Sequence, residues 1–189
     1  MTFPNRLTLA RLLLTGLFVV AMECSFAWHQ TCALGIFILA ILTDYLDGAL
    51  ARRWNLITDF GRLMDPVADK ILNTSAFILL VAYWAIPPWV VIIIIGREFL
   101  ITGLRLLAGG KGQILPAEKL GKHKTAWQMA TIIFFLILLA VPEWIPKPGW
   151  WWQRAWVYGG NFFITITTLL TIYSGFGYLR RNRSLLLSD

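Results

Sequence analysis

Six long apolar segments, separated by short polar connections, constrain the fold of this chain more than any other feature. Hydrophobic residues make up 58% of the sequence and charged residues 14%, which is too apolar for an ordinary soluble domain. A hydrocarbon layer about 30 Å thick is crossed by roughly 20 helical residues, the length of these segments. We therefore predict an all-α fold, an integral membrane bundle of six transmembrane helices forming one domain over residues 1–189. The predicted spans are about Leu7–Met22, Cys32–Arg52, Phe60–Trp84, Trp89–Leu107, Thr125–Val141 and Val157–Tyr178.

The N-terminus is expected to form a short interfacial segment, because Pro4 restricts the chain just before the first span. It lacks the charged region, apolar core and cleavage site of a removable signal peptide, so we expect the first helix to remain. Cys24 and Cys32 are too few for a disulfide framework and are expected to pack as small apolar residues.

The basic residues predict the orientation of the helices, because cytoplasmic connections retain positive charge. Lys147 and Arg154 fall on one side of the predicted bundle, and a much larger set falls on the other. Both termini and the aspartate-rich stretch described below are therefore expected on the cytoplasmic side. The larger set is Arg6, Arg11, Arg52, Arg53, Arg62, Arg105, Lys111, Lys119, Lys122, Lys124, Arg180, Arg181 and Arg183.

The net charge of +7 does not indicate nucleic acid binding, because the basic residues form no single patch. A phosphate-rich membrane surface fits this charge better.

Two pairs of aspartates lie at the cytoplasmic ends of the second and third predicted helices. Asp44 and Asp47 are three residues apart, and Asp65 and Asp69 are four apart, so each pair projects from one helical face. Helix-end solvation or the helix dipole explains one of these carboxylates but not four. Four converging carboxylates are the oxygen ligands that two magnesium, manganese or calcium ions prefer, whereas zinc is not expected without histidine or cysteine.

Small residues recur at helical spacing beside these aspartates. Gly48 and Ala51 lie one turn beyond Asp44 and Asp47, and Gly61 lies one turn before Asp65. Glycine within a helix costs about 1 kcal/mol relative to alanine, which indicates room for a bulky ligand beside the metals. Close packing of membrane helices through small residues is the alternative explanation.

The complete pattern is D-x-x-D-G-x-x-A-R, eight residues, then G-x-x-x-D-x-x-x-D, and it resembles the signature of the CDP-alcohol phosphotransferases. The resemblance extends from PNRLTLARLLL through DPVADK, GREFLITGLRL and LGKHKTAWQM, to about Met129. It implies a bacterial inner-membrane enzyme with six transmembrane helices that forms a homodimer. The signature comprises Asp44, Asp47, Gly48, Ala51, Arg52, Gly61, Asp65 and Asp69.

The resemblance also implies roles for the signature residues. The four aspartates hold two divalent cations, Mg²⁺ or Mn²⁺, and Asp69 is also the general base. Gly48, Ala51 and Gly61 make room for the cytidine nucleotide, and Arg52 contacts its phosphate region.

A second set of charged residues suggests where an acceptor phosphate binds. Arg97 and Glu98 interrupt the fourth apolar segment, and Arg105 lies two turns further along. An arginine in such a segment requires an aqueous cavity or a partner, and its guanidinium suits phosphate oxygens. Lys124 begins the fifth helix, in a region that supplies glycerol phosphate contacts in the resembling enzymes. We predict that Arg97, Arg105 and Lys124 bind the acceptor phosphate. A salt bridge to Glu98 or to a motif aspartate is an alternative or additional role for either arginine.

The predicted activity is transfer of a phosphatidyl group from CDP-diacylglycerol to sn-glycerol 3-phosphate. Membrane lipid is expected to surround the protein. Three alternatives remain at this point. A cardiolipin synthase of the same family uses phosphatidylglycerol as acceptor, a divalent-cation transporter also places aspartates in membrane helices, and a structural adaptor binds no divalent ion. Release of CMP with different alcohols, and metal flux without nucleotide, distinguish them.

Overall fold

The computed structural model describes the backbone of residues 3–54, 59–110 and 119–183. Within these ranges the description excludes the side chains of residues 3–8, 44–54, 59–66, 69, 119–120 and 122. Helices dominate the described backbone, which contains no strand, so the all-α prediction is confirmed. The helices are α1 (Phe3–Glu23), α2 (His29–Trp54), α3 (Asp59–Ala82), α4 (Pro88–Gly110), α5 (Lys119–Trp144), α6 (Trp150–Arg154) and α7 (Gly160–Arg181), with a π-helical segment (Ala155–Gly159) joining the last two.

Four of the six predicted spans lie within one helix, and the observed helices extend further at most ends. The third predicted span, Phe60–Trp84, runs two residues beyond the end of α3 at Ala82, and the last, Val157–Tyr178, begins in the π-helical segment and continues in α7. The largest difference is at the last span, where helix begins at Trp150 and not near Val157. At the N-terminus, α1 begins at Phe3 and contains Pro4 in its first turn, and the interfacial position of this stretch stays a prediction. Proline is tolerated at that position because first-turn N–H groups have no intrahelical acceptor.

Two helical stretches of the described chain are long and apolar enough to cross a membrane, His123–Trp144 and Trp150–Arg181. Shorter apolar stretches occupy His29–Thr43 and Lys70–Ala82. In α4, the charged residues Arg97, Glu98 and Arg105 interrupt an otherwise apolar sequence. The composition and these helices indicate a membrane protein.

The core forms where α2 and α3 pack against both α1 and α5. The Phe18 and Phe37 rings lie 5.3 Å apart between α1 and α2, and Leu72, Phe77 and Phe135 are buried beside them. A second contact joins α4 to α7, where Tyr178 packs against Ile101 and Leu104. This arrangement places α4 beside α3 and α7.

Arg11 departs from its predicted location in a cytoplasmic connection. It lies within α1 and is 1% exposed, in line with the buried residues Thr15, Phe18 and Met22. The count of basic residues assumed that each of them lies in a loop. The helical spacing of Arg11 with these buried residues instead indicates that Arg11 faces the interior. The prediction for the cysteines is also wrong, because both Cys24 and Cys32 are exposed.

Glu143 joins the N-terminus of α2 to the C-terminus of α5. Its carboxylate accepts hydrogen bonds from the backbone N–H groups of Gln30, at 2.8 Å, and Thr31, at 2.9 Å. The Thr31 hydroxyl also donates to it at 2.5 Å, and the Trp144 indole N–H donates to that hydroxyl at 2.8 Å. Since the first N–H groups of a helix have no intrahelical acceptor, Glu143 caps α2 from another helix. We call this the Glu143 end of the bundle.

Candidate active site

The four motif aspartates lie at the opposite end, which we call the aspartate end. Asp44 and Asp47 lie near the end of α2, and Asp65 and Asp69 lie in the first half of α3. Residues 55–58 alone separate these helices, so both pairs lie at the same end of the bundle. Both pairs are on helices, as predicted. Their side chains lie outside the described residues, so metal coordination and the role of Asp69 as a base stay predictions.

The predicted nucleotide-binding residues follow the same helices. Gly48, Ala51 and Arg52 belong to the last turns of α2, and Gly61 belongs to the first turn of α3. Their side-chain surroundings also lie outside the described residues. These residues therefore lie on helices, as their spacing predicted, and their contact with a nucleotide stays a prediction.

Polar side chains continue from the aspartate end into the bundle. Lys70 follows Asp69 on α3, and its ammonium group donates a hydrogen bond to the Thr102 hydroxyl of α4. That hydroxyl donates in turn to the backbone carbonyl of Glu98 at 2.8 Å. Asn73 lies one turn after Asp69, on the same face of α3. The polar face predicted for Gly61, Asp65 and Asp69 therefore extends one turn further, toward Glu98.

Glu98 brings together two of the three residues predicted to bind the acceptor phosphate. The Lys124 ammonium group of α5 donates to the Glu98 carboxylate, and Arg97 Nη1 lies 3.3 Å from the same oxygen, Oε1. Lys124 is 3% exposed, although it was counted among the basic residues of the cytoplasmic connections. The salt bridge weighed as an alternative for Arg97 is present in the structure.

Arg105 lies apart from this cluster, on the side of α4 that faces α7. Its Nε lies 3.3 Å from the Tyr178 hydroxyl, and its guanidinium carbon is 5.7 Å from the centre of that ring. Arg105 is exposed, whereas Tyr178 is 2% exposed. The structure therefore brings Arg97 and Lys124 together at Glu98 and leaves Arg105 two turns away along α4.

Two cavities meet at Glu98. The larger has a volume of about 400 Å³ and is lined by Lys70, Thr102 and apolar residues of α3 and α4, including Phe99. The smaller has a volume of about 40 Å³ and lies between α3, α4 and α5. Lys70, Thr74 and Glu98 line both cavities, so these side chains form the wall between them. A cavity of the smaller size holds about one water molecule.

Gln128 contributes a hydrogen-bond donor to the small cavity. It lies one turn after Lys124 on the same face of α5 and is 4% exposed. Its Nε2 atom is buried and has no hydrogen-bond partner among the described residues. Because a buried amide donor is costly to leave unsatisfied, this position suits a water or ligand oxygen.

The sequence analysis did not assign roles to Lys70, Asn73, Thr102 and Gln128. Helical spacing could have identified two of them. Asn73 lies four residues after Asp69, as Asp69 does after Asp65, and Gln128 lies four residues after Lys124. The contacts of Lys70 with Thr102 and of Lys124 with Glu98 join different helices, and no local pattern contains them.

The carboxylates at the aspartate end have the donor chemistry that hard divalent cations require. Asp44, Asp47, Asp65 and Asp69 offer oxygen ligands only, as Mg²⁺ and Mn²⁺ prefer. Elsewhere in the described part of the chain, no group of three histidine, cysteine, aspartate or glutamate side chains is placed to hold a metal. Binding of these ions by the four aspartates stays a prediction.

The apolar helices and the partly buried polar residues between them are typical of an integral membrane protein. The chain belongs to the CDP-alcohol phosphatidyltransferase family, whose model matches residues 1–175. This finding confirms the resemblance inferred from the aspartate signature and makes the protein a phosphatidyltransferase.

Three bacterial relatives cover nearly the whole chain, and each is named CDP-diacylglycerol–glycerol-3-phosphate 3-phosphatidyltransferase. The protein from Bacillus subtilis (strain 168) is 36% identical over 95% of this chain and 94% of its own length. That from Salmonella typhimurium is 35% identical over 98% and 97%, respectively. That from Pseudomonas fluorescens is 36% identical over 95% and 89%.

Proposed function

We propose that this protein transfers the phosphatidyl group of CDP-diacylglycerol to sn-glycerol 3-phosphate, giving phosphatidylglycerol phosphate and CMP. The observation that carries the proposal is a pair of cations, the buried Lys124 and the partly buried Arg97, held at Glu98 beside the polar face of α3. Neutral alcohols need no such cations, whereas a phosphorylated acceptor does. The names of the three relatives support the same donor and acceptor.

The donor half of the site is assigned to the aspartate end. Asp44, Asp47, Asp65 and Asp69 would hold two divalent cations, Mg²⁺ or Mn²⁺, and these would supply positive charge against the attacked phosphoryl group and departing CMP. Gly48, Ala51 and Gly61 leave space for the cytidine nucleotide. Arg52 contacts its phosphates. The support for these roles is the complete family signature on α2 and α3.

The reaction is a single displacement. The primary hydroxyl oxygen of the acceptor bonds to the phosphorus of the phosphatidyl group, and the bond from that phosphorus to CMP breaks. Asp69 takes the proton from the attacking hydroxyl. Lys124 and Arg97 hold the acceptor phosphate, so that its hydroxyl end points toward the aspartate end. Arg105, beside Tyr178, adds a cation on the α7 side.

The same proposal includes the arrangement in the membrane. Six helices of a single domain cross the bacterial inner membrane, the first residues of α1 lie in the interface, and the site and both termini face the cytoplasm. The distribution of basic residues supports this orientation. Exposed apolar side chains on α4, such as Ile92, Phe99 and Leu106, support contact with lipid or with a second copy in a homodimer.

Release of CMP from CDP-diacylglycerol by the purified protein tests the proposal. We expect release with sn-glycerol 3-phosphate in the presence of Mg²⁺ or Mn²⁺, and little with glycerol, inositol, serine or phosphatidylglycerol. Lys124→Gln should raise KM for glycerol 3-phosphate by about tenfold or more, since a charge-assisted hydrogen bond contributes about 1.5–3 kcal/mol. Release with phosphatidylglycerol in preference to glycerol 3-phosphate indicates a cardiolipin synthase and contradicts the proposal.

A further inference from the structure

The Glu98 carboxylate lies where the proposed function requires an anion to bind. It is 26% exposed, and one oxygen, Oε1, receives both the Lys124 ammonium group and Arg97 Nη1. These are the two cations assigned to the acceptor phosphate. A phosphate that binds both of them meets a carboxylate already in contact with them. Because both ligands are anions, their simultaneous binding to the same cations is opposed by charge repulsion.

Glu98 lies between two cavities of very different volume. The small cavity contains Lys124 and the buried Gln128 amide and has about 40 Å³, room for a water but not for a phosphate group. The adjoining cavity has about 400 Å³. Glu98 forms the wall between them together with Lys70 and Thr74, so rotation of its side chain away from Lys124 opens that wall beside the Lys124 ammonium group and the Gln128 donor.

We propose that Glu98 is an internal substitute for the acceptor phosphate, which occupies Lys124 and Arg97 in the ligand-free protein and gives them up when glycerol 3-phosphate binds. This inference rests on the proposed function, because it takes Lys124 and Arg97 as the acceptor site. Gln128 supplies an additional donor to the phosphate. Glu98 is thus a specificity-determining residue, because an acceptor without a negative charge does not displace it.

Two possible roles of Glu98, competition with the acceptor phosphate and positioning of Lys124, predict opposite effects of its replacement on anion binding. Lys124 and Arg97 each lose an anionic contact when Glu98 is replaced by a neutral residue, which destabilises the protein, and a bound anion restores such a contact. Replacement of Glu98 by a neutral residue should therefore weaken the ligand-free protein and tighten anion binding. If Glu98 only positions Lys124 for the phosphate, the same replacement weakens anion binding.

The test measures the dissociation constant of sn-glycerol 3-phosphate by calorimetry, using full-length protein in nanodiscs with Mg²⁺ and without CDP-diacylglycerol, so that no reaction occurs. We expect Glu98→Gln to bind at least about fivefold more tightly than the wild type, because one competing charge-assisted contact is removed. Glu98→Asp, with a shorter side chain, should bind more tightly by a smaller factor, and it serves if Glu98→Gln does not fold. Glu143→Gln, at the other end of the bundle, is the matched control and should bind like the wild type.

Gln128→Leu provides a second measurement with the opposite sign. It should bind glycerol 3-phosphate several-fold more weakly while unfolding at the same temperature or higher, because it removes a donor that has no partner among the described residues. Unchanged or weaker binding by both Glu98 variants overturns the inference about Glu98. If Lys124→Gln retains wild-type affinity, the acceptor site itself is wrong. Loss of binding in Lys124→Gln without tightening in either Glu98 variant leaves the acceptor site standing and rejects Glu98 as the substitute anion.

Discussion

Asp69 is the residue whose proposed role is most specific, because the same carboxylate is assigned both to metal binding and to proton transfer. We expect Asp69→Asn to lower kcat by about 10²-fold or more, since general-base catalysis contributes about that factor or above. The asparagine keeps an oxygen ligand, so binding of CDP-diacylglycerol should weaken much less than turnover. Single-turnover kinetics with saturating Mg²⁺ measure both quantities. Turnover near the wild-type rate removes Asp69 as the base.

The signature residues could be predicted because their chemistry is local. Asp44 and Asp47, or Asp65 and Asp69, are brought onto one face by helical spacing alone. The ion pair of Lys124 with Glu98 joins α5 to α4 and depends on how those helices pack, which spacing does not encode. Glu98 was foreseen only as a partner for arginine. Its contact with Lys124, and the two cavities that it separates, required the three-dimensional arrangement.

The contact between α4 and α7 limits the position of the Arg97 side chain. A Cβ atom added to Gly175 of α7 lies 3.0 Å from Arg97 Cγ, whereas one added to Gly177 meets nothing within 4 Å. Gly175→Ala should therefore displace the Arg97 side chain and raise KM for glycerol 3-phosphate by about three- to tenfold. Gly177→Ala is the matched control, and its KM should equal that of the wild type. Equal kinetics for both variants contradict a role for Arg97 at this position.

The Glu143 cap of α2 is expected to contribute to stability without affecting catalysis. Glu143→Ala removes the acceptor of the Gln30 and Thr31 N–H groups and should lower the unfolding free energy by about 1–2 kcal/mol. Glu143→Gln retains one carbonyl oxygen and should lose less. The thermal unfolding midpoint in detergent measures the difference. Glu143 and Lys124 are about 28 Å apart along α5, so kcat and KM below the midpoint should not change.

The helices themselves were predictable from apolar runs punctuated by proline, glycine and charge. The span predicted to begin near Trp89 matches α4, which begins at Pro88. The start of the last helical stretch was not predicted, because that span was expected from about Val157 and the helix begins at Trp150. Trp152 donates from its indole to the Leu138 carbonyl at 2.9 Å, which holds α6 against α5. A polar contact of a tryptophan is not visible in a hydropathy pattern.

For the whole molecule, the two native cysteines provide a direct test of orientation. Cys24 and Cys32 are exposed, and both lie at the Glu143 end, close to Thr31. If the aspartate end faces the cytoplasm, a membrane-impermeant maleimide should label them from outside the inner membrane. Arg183→Cys, in a variant with both native cysteines replaced by serine, should react only after the membrane is opened. The reverse pattern contradicts the proposed orientation.

We propose that a donor half at the aspartate end and an acceptor half around Glu98 catalyse one reaction together. Mass spectrometry of the lipids formed from CDP-diacylglycerol and sn-glycerol 3-phosphate, with CMP measured in the same sample, tests whether they do. We predict phosphatidylglycerol phosphate and CMP in equal amounts, abolished by chelation of divalent cations. Release of CMP with phosphatidic acid as the lipid product, or no product from the folded protein with Mg²⁺ or Mn²⁺, contradicts it.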